Sequence, residues 1–164
     1  MNIRSLIVPL LMLLATSARA QNLTEIFRQI PDTLTPYLSQ NNRLDFIDFM
    51  ESNMKAEVRN RLGGTSEMTA LTADSLSIRM SEALRIDMLL LTPVEPVDSS
   101  RQVVCVVSTY GTDSLGQESR VAYYTTRWTP LTTTPSLSPA DKRRVRVLEV
   151  QTILKRDDEI LKKN

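Results

Sequence analysis

Three carboxylates at three-residue spacing, Asp45, Asp48 and Glu51, lie in the stretch RLDFIDFMESNMKAEVRNRLGG from Arg43 to Gly64. Two acids converging in a cleft, one held protonated, can cleave a glycosidic bond by general acid and base action. The three are therefore the candidate catalytic residues of a carboxylate-based hydrolase. The chain offers few other routes to catalysis. It has no histidine and a single cysteine, Cys105. The commonest general base, the usual serine triad and most transition-metal sites thus lack their residues. The four glycines, Gly63, Gly64, Gly111 and Gly116, have none of the spacings of a phosphate-cradling loop. No metal site and no cofactor are expected. Cys105 sits in Val103-Val104-Cys105-Val106-Val107, where a thiol packs as a small hydrophobe and nothing adjacent in sequence would lower its pKa.

The element that must position the three acids reads as a helix. At about 100° per residue, with Asp45 at zero, Leu44, Phe46, Ile47, Met50, Met54, Val58 and Leu62 share an arc from about 100° to about 260°. This predicts an amphipathic helix of about twenty residues, opened by an Asn42 cap with Asp45 and stopped by Gly63-Gly64. Asp45 and Asp48 fall on its polar side and Glu51 near the edge, as plain solvated carboxylates also would. Phe49 shares the side of the aspartates, at about 40°. Part of that side should therefore be covered, and an arginine such as Arg43 is expected to pair with Asp45 or Asp48 there, because a buried unpaired carboxylate is costly.

Upstream, Asn22-Leu23-Thr24-Glu25 opens an earlier helix with Ile26, Phe27 and Ile30 on its apolar side, and Pro31 ends it. Pro31 to Leu38 is a short helical turn or loop. After Gly64 the apolar period becomes two. Glu67 to Leu71, Ser75 to Ser81, Leu84 to Leu91, Arg101 to Tyr110 and Ser119 to Trp128 read as strands. Arg101 to Tyr110 is the most apolar and is expected at the centre. In the last strand Val121 and Tyr123 face one way, and Ala122, Tyr124 and Trp128 the other. Short links predict an antiparallel meander. Thr129 to Ser138, rich in Thr and Pro, reads as a linker. Ser138-Pro139-Ala140-Asp141 starts a C-terminal helix toward Leu161, although Val145-Arg146-Val147 could instead open a strand. The fold expected is α+β: N-terminal helices packed on an antiparallel β-meander sheet, with a C-terminal helix.

The amino-terminal twenty residues address the protein. A positive start at Arg4, an apolar run from Ser5 to Leu14 and Ala18-Arg19-Ala20 form a secretory signal peptide cleaved after Ala20. The run is shorter than a bilayer core needs and Pro9 interrupts it. The organisation expected is a signal peptide over 1–20, an α+β domain over 21–131, and a Thr/Pro-rich linker with a C-terminal helix over 132–164. The location expected is periplasmic or secreted, with no membrane span. The chain carries 20 Lys+Arg and 19 Asp+Glu, and Arg4 and Arg19 leave with the signal. A near-neutral remainder has no general pull on nucleic acid. Lys155-Arg156 and Lys162-Lys163 fit a solvated helix end.

Four stretches taken together, IPDTLTPYLSQNNRLDFIDFMESNMKAEVRNRLGG, TALTADSLSIRMSEALRIDMLLLTPV, VVCVVSTYG and YYTTRWTPL, resemble a family of exported, uncharacterised proteins of Bacteroidetes-type bacteria, a domain of unknown function. The resemblance runs from about Ile26 to Leu131, and the segment after Thr132 departs from it. It implies an envelope location and supplies no activity, cofactor or site. Asp32-Thr33-Leu34, Asp74-Ser75-Leu76 and Asp113-Ser114-Leu115 are similar to the O-glycosylation acceptor of such bacteria, with Ser114 the best placed.

Three functions fit these residues. The first is a non-catalytic interaction module of the envelope with a protein partner, contacting it through Tyr37, Phe49, Tyr110, Tyr124 and Trp128 and through a sheet face left uncovered. All five aromatics could equally fill the core. The second is a small-ligand or peptide carrier lined by Met50, Met54, Met80 and Met88. The third is the carboxylate hydrolase.

Overall fold

The computed structural model describes residues 22–97, 101–112 and 116–149. Two short helices, α1 (Leu23–Arg28) and α2 (Gln40–Glu51), precede six strands: β1 (Ala56–Arg59), β2 (Thr65–Leu71), β3 (Ser75–Ser81), β4 (Leu84–Leu91), β5 (Val103–Thr112) and β6 (Gly116–Thr125). The strands form one sheet in the order β1-β2-β3-β4-β5-β6, each antiparallel to its neighbour. A third helix, α3, covers 139–149 among the described residues. The architecture is the expected α+β meander. β5 is interior but second from the edge, because a meander puts its strands in chain order and β6 follows it.

Local chemistry explains most of the boundaries. Asn22 caps α1, its side-chain oxygen accepting from the Thr24 amide at 2.8 Å. Ser138 caps α3 and accepts from the Asp141 amide at 3.1 Å. The helix expected to run from Asn42 to Gly64 is twelve residues long, and both of its ends differ from expectation. Its cap is Ser39, in a box where Ser39 Oγ accepts from the Asn42 amide and Asn42 Oδ1 from the Ser39 amide. Its stop is Asn53, in the left-handed region at φ 54°. The Asn53 amide donates to the Met50 carbonyl at 3.1 Å and the Met54 amide to the Phe49 carbonyl at 2.8 Å. Those two bonds make a Schellman end, which asparagine supports almost as glycine does. Beyond it Ala56 and Val58 are buried and Glu57 and Arg59 exposed, a strand pattern. Met54, Val58 and Leu62 are spaced by four, a spacing that periods of 3.6 and of two both permit. Met54 and Leu62 are in fact exposed.

The sheet is buried on both faces, by different segments. On the first face Met68, Leu76, Ile78, Met80, Ile86, Met88, Leu90 and Val104 pack against Leu23, Ile26, Phe27, Ile30, Leu38, Phe46 and Ile47. On the second face Leu89, Leu91, Val103, Cys105 and Val107 pack under Leu137 and Val145. The face expected to lie open is therefore closed over β4 and β5. The 129–138 segment has no helix or strand of its own, yet it is fastened to the sheet. The Leu131 amide donates to the Tyr123 carbonyl at 2.8 Å and the Val94 amide to the Ser136 carbonyl at 2.7 Å. Toward β2 and β3 the second face is polar, with Glu67 and Arg79 paired across it and the buried Asp87 held by Ser77 Oγ and, at 2.7 Å, by Arg85 Nε.

Gly111 is where the β5–β6 hairpin tolerates no side chain. Its φ is +103°, and a Cβ would lie 2.1 Å from the Gly116 carbonyl oxygen. Gly116 also has a positive φ, but the space around it is open. Gly111→Ala should therefore lower the urea unfolding midpoint more than Gly116→Ala, with the first substitution costing well over about 1 kcal/mol.

Candidate functional site

The two N-terminal helices sit on the first face, with α2 toward β1 and β2. Beside them a cleft of about 400 Å³ opens between the Ile30–Tyr37 segment and strands β3 to β6. Its floor is Met80, Ile86, Met88, Val106 and Ala122, all on the helix-facing side by strand alternation. Tyr37, Tyr110, Tyr124 and Trp128 also line it, with Ser108 and Arg120 as polar members. A size of several hundred Å³, an apolar lining and a few convergent polar groups are typical of a ligand site.

One wall of the cleft is a loop, and a buried cation holds it. Arg43, on α2, is 4% exposed. Its Nη1 donates to Asp32 Oδ1 at 2.8 Å, to the Leu38 carbonyl at 3.3 Å and to Thr35 Oγ1 at 3.5 Å. All three acceptors belong to the 31–38 loop. Arg61 Nη2 binds the other carboxylate oxygen of Asp32 at 2.8 Å. Arg61 is placed in turn by Asn60, a buried residue whose Oδ1 accepts from the Leu62 and Gly64 amides and whose Nδ2 donates to Ser66 Oγ and the Met80 carbonyl. The expectation that Arg43 would pair with Asp45 or Asp48 is thus corrected. It turns to the loop, where three acceptors meet Nη1 of the buried guanidinium while its Nε has no partner among the described residues, whereas the aspartates are exposed.

The opposite end rests on Trp128. Its backbone lies at φ 65° in the turn after β6, and its Nε1 donates to the Ile26 carbonyl at 2.9 Å. That bond gives the Ile26 carbonyl, which also accepts from the Gln29 amide at 3.2 Å, a second donor near the end of α1. The Tyr124 and Trp128 rings pack with centroids 5.8 Å apart, tilted by 55°, a favourable aromatic arrangement.

Of the aromatics singled out by sequence, Tyr37, Tyr110, Tyr124 and Trp128 are brought to this cleft, whereas Phe49 packs half-buried against the core beneath the helices. Of the four methionines, Met80 and Met88 line the cleft. Met50 instead packs on the core and Met54 is 57% exposed, because the helix that was to carry Met54 ends before it. Asp45, Asp48 and Glu51 are exposed along α2, outside the cleft, and Glu51 comes within 3.9 Å of Arg28. Thr33 is exposed beside the engaged Asp32, Ser75 is half-buried, and Ser114 lies outside the described residues. So do Lys155-Arg156 and Lys162-Lys163.

Cys105 is on the other face. Burial, opposed by a hydrogen bond with Tyr123, pushes its thiol up to about 12. Burial likewise pushes the Tyr123 hydroxyl up to about 12, reinforced by Cys105. A thiol so held stays protonated at neutral pH and is a poor nucleophile. A second hollow of about 470 Å³, bounded by Val121, Tyr123, Leu131, Val145 and Glu149, borders this face. Among the described residues no three His, Cys, Asp or Glu side chains are grouped as metal ligands, and no helix is long and apolar enough to cross a membrane.

Sequence reasoning passed over Arg120, Asp32 and Asn60. Arg120 could have been found by parity, since it alternates with Ala122 and Tyr124. The Asp32 bridge carries no such signal, because Arg43 and Arg61 are 11 and 29 residues away, and Asn60, although its Oδ1 accepts from amides two and four residues on, reaches the Met80 carbonyl 20 residues away.

A two-helix cover on a six-stranded meander with an apolar cleft at its margin defines an α+β domain of ligand-site geometry. The chain belongs to the family described as "Protein of unknown function (DUF3256)", whose pattern matches residues 15–155. The match continues through the segment after Thr132, which the sequence resemblance had set apart. A solved domain of an uncharacterised protein from Porphyromonas gingivalis W83 is similar, with TM-score 0.54 and 26% identity over 70% of this chain and 55% of that one. This chain thus spans about half the length of that structure. No curated protein matches it.

The Asp32 bridge has a pH signature. Hydrogen bonds from Arg61 and then Arg43, against a smaller opposing effect of burial, hold its carboxyl below the ordinary 3.8. A folded value lowered in this way gives stability that is present above about pH 4 and lost as pH falls through the lowered value. Asp32→Asn should lower the urea midpoint at pH 7 and flatten its decline below pH 4. For Cys105, iodoacetamide at pH 8 should leave the folded protein unmodified and label it fully in denaturant.

Proposed function

We propose that this protein is a non-catalytic binding module of the bacterial envelope, and that it binds through the cleft between the Ile30–Tyr37 loop and strands β3 to β6. One observation carries the reading: four aromatics scattered from Tyr37 to Trp128 converge with Met80 and Met88 on a single cavity of small-ligand size. Of the binding functions open to the sequence, a small-ligand or peptide carrier fits a concave, apolar, preformed site better than a flat protein-docking face does. Export is supported by the signal-like start. The carboxylate-hydrolase alternative has less support, since a general acid needs a sheltered site to raise its pKa and the three acids of α2 are exposed.

The test is a thermal-shift screen of small molecules and short extended peptides against the wild type and Ser108→Phe, which fills the cleft. A ligand at about 100 times its Kd should stabilise the wild type by about 2.7 kcal/mol, and Ser108→Phe should lose the shift. Asp45→Asn and Asp48→Asn should keep it. Shifts that survive Ser108→Phe would place binding elsewhere. For export, protein recovered from the native envelope fraction should have a mass that begins at Gln21; a mass including residues 1–20 would count against it.

A further inference from the structure

We infer that the occupant of this cleft is an amphipathic anion: an apolar body of small-molecule size with one carboxylate. The inference rests on the cleft being the binding site, and it adds the chemistry of the ligand.

The argument is charge against an apolar background. Met80, Ile86, Met88 and Val106 offer the floor no hydrogen-bonding group beyond a thioether, so the body that fills it must be apolar. Arg120 is the single charged side chain in the lining, and no carboxylate lines the cleft with it. Among the described residues Arg120 makes no ion pair. In this it resembles Arg59, Arg101, Arg127, Arg143 and Arg146 and differs from Arg43, Arg61, Arg79, Arg85 and Arg144, each of which has an acidic partner within 2.8 Å; of the described arginines without such a partner it is the one that lines the cleft. Ser108 is its register partner on β5 and lines the same cleft. Together they place a guanidinium fork and a hydroxyl at one end of an apolar trough. Arg120 is exposed, so its guanidinium is free to turn to a ligand carboxylate, which it matches bidentately. A cationic ligand meets like charge, and a neutral one leaves the guanidinium with water alone. The aromatic rings of Tyr37 and Tyr124 suit an alkyl or aryl body equally well.

Trp128 is the only tryptophan in the chain and lines the cleft, so its fluorescence reports occupancy. The full mature chain is titrated with decanoate, decanol and decylamine, each below its solubility limit, in the wild type and in Arg120→Gln. Decanoate should bind about fivefold tighter than decanol, the upper worth of one solvent-exposed ion pair, and decylamine weakest. Arg120→Gln should bring decanoate to the level of decanol and leave decanol unchanged. Equal binding of acid and alcohol, indifferent to Arg120→Gln, overturns the anion while the cleft stands. Binding of none of the three, alongside a Ser108-sensitive shift from a peptide, also overturns it and leaves the cleft reading intact. Binding of none, with no Ser108-sensitive shift from any compound, sinks both.

Discussion

A guanidinium buried at 4% exposure has to be met by acceptors, and most of what is distinctive in this protein follows from how Arg43 is met. Desolvating a charge costs several kcal/mol unless hydrogen bonds replace the lost water. Here Asp32, Thr35 and Leu38 replace it at Nη1, although Nε has no partner among the described residues, and all three acceptors lie on one loop. The loop is thereby wrapped around the start of α2 instead of lying flat over the sheet. Asp32 then ties it to Arg61 on the β1–β2 turn. The same loop carries Leu34 and Tyr37, which form a wall of the cleft. An ion pair that looks like a fold constraint thus also determines the shape of the candidate site.

The sheet supplies the other half of the geometry. A six-stranded meander is wider than two helices of six and twelve residues can cover. The core under α1 and α2 reaches Val104 on β5, and the first face is left concave over parts of β3 to β6. The second face solves the same problem differently. Its apolar half, from Leu89 to Val107, is closed by the 129–138 segment and α3, and its other half is polar and paired. Cys105 is consequently sealed in and Tyr123 half-buried beside it, and that burial is why both resist ionisation. Two covers of unequal extent on one sheet leave a large apolar opening on the helix side.

The aromatic rim shows how a site assembles without any local motif. Tyr37 precedes α2, Tyr110 and Tyr124 lie on neighbouring strands, and Trp128 follows β6 in a left-handed turn. Trp128 also fastens that turn to α1 through Ile26. The residue that shapes the site is therefore part of the scaffold as well, as is common where packing and recognition share a surface.

What the sequence determined by itself was periodicity and local chemistry. The strands Ser75–Ser81 and Leu84–Leu91, the Asn22 and Ser138 caps, the meander order and the buried character of Cys105 could all be read there, because each depends on residues a few positions apart. It could not end α2 correctly. Met54, Val58 and Leu62 satisfy a helical and an extended period alike, and the stop at Asn53 depended on a left-handed residue that competes weakly against two glycines downstream. Nor could it pair Arg43 with Asp32 or bring Arg120 beside Tyr37. Those are long-range choices, decided when a desolvated charge must find acceptors and a wide sheet must find cover. Tertiary structure alone separated the exposed acids of α2 from the cleft, and it gathered into one cavity aromatics that the sequence holds up to ninety-one positions apart, from Tyr37 to Trp128.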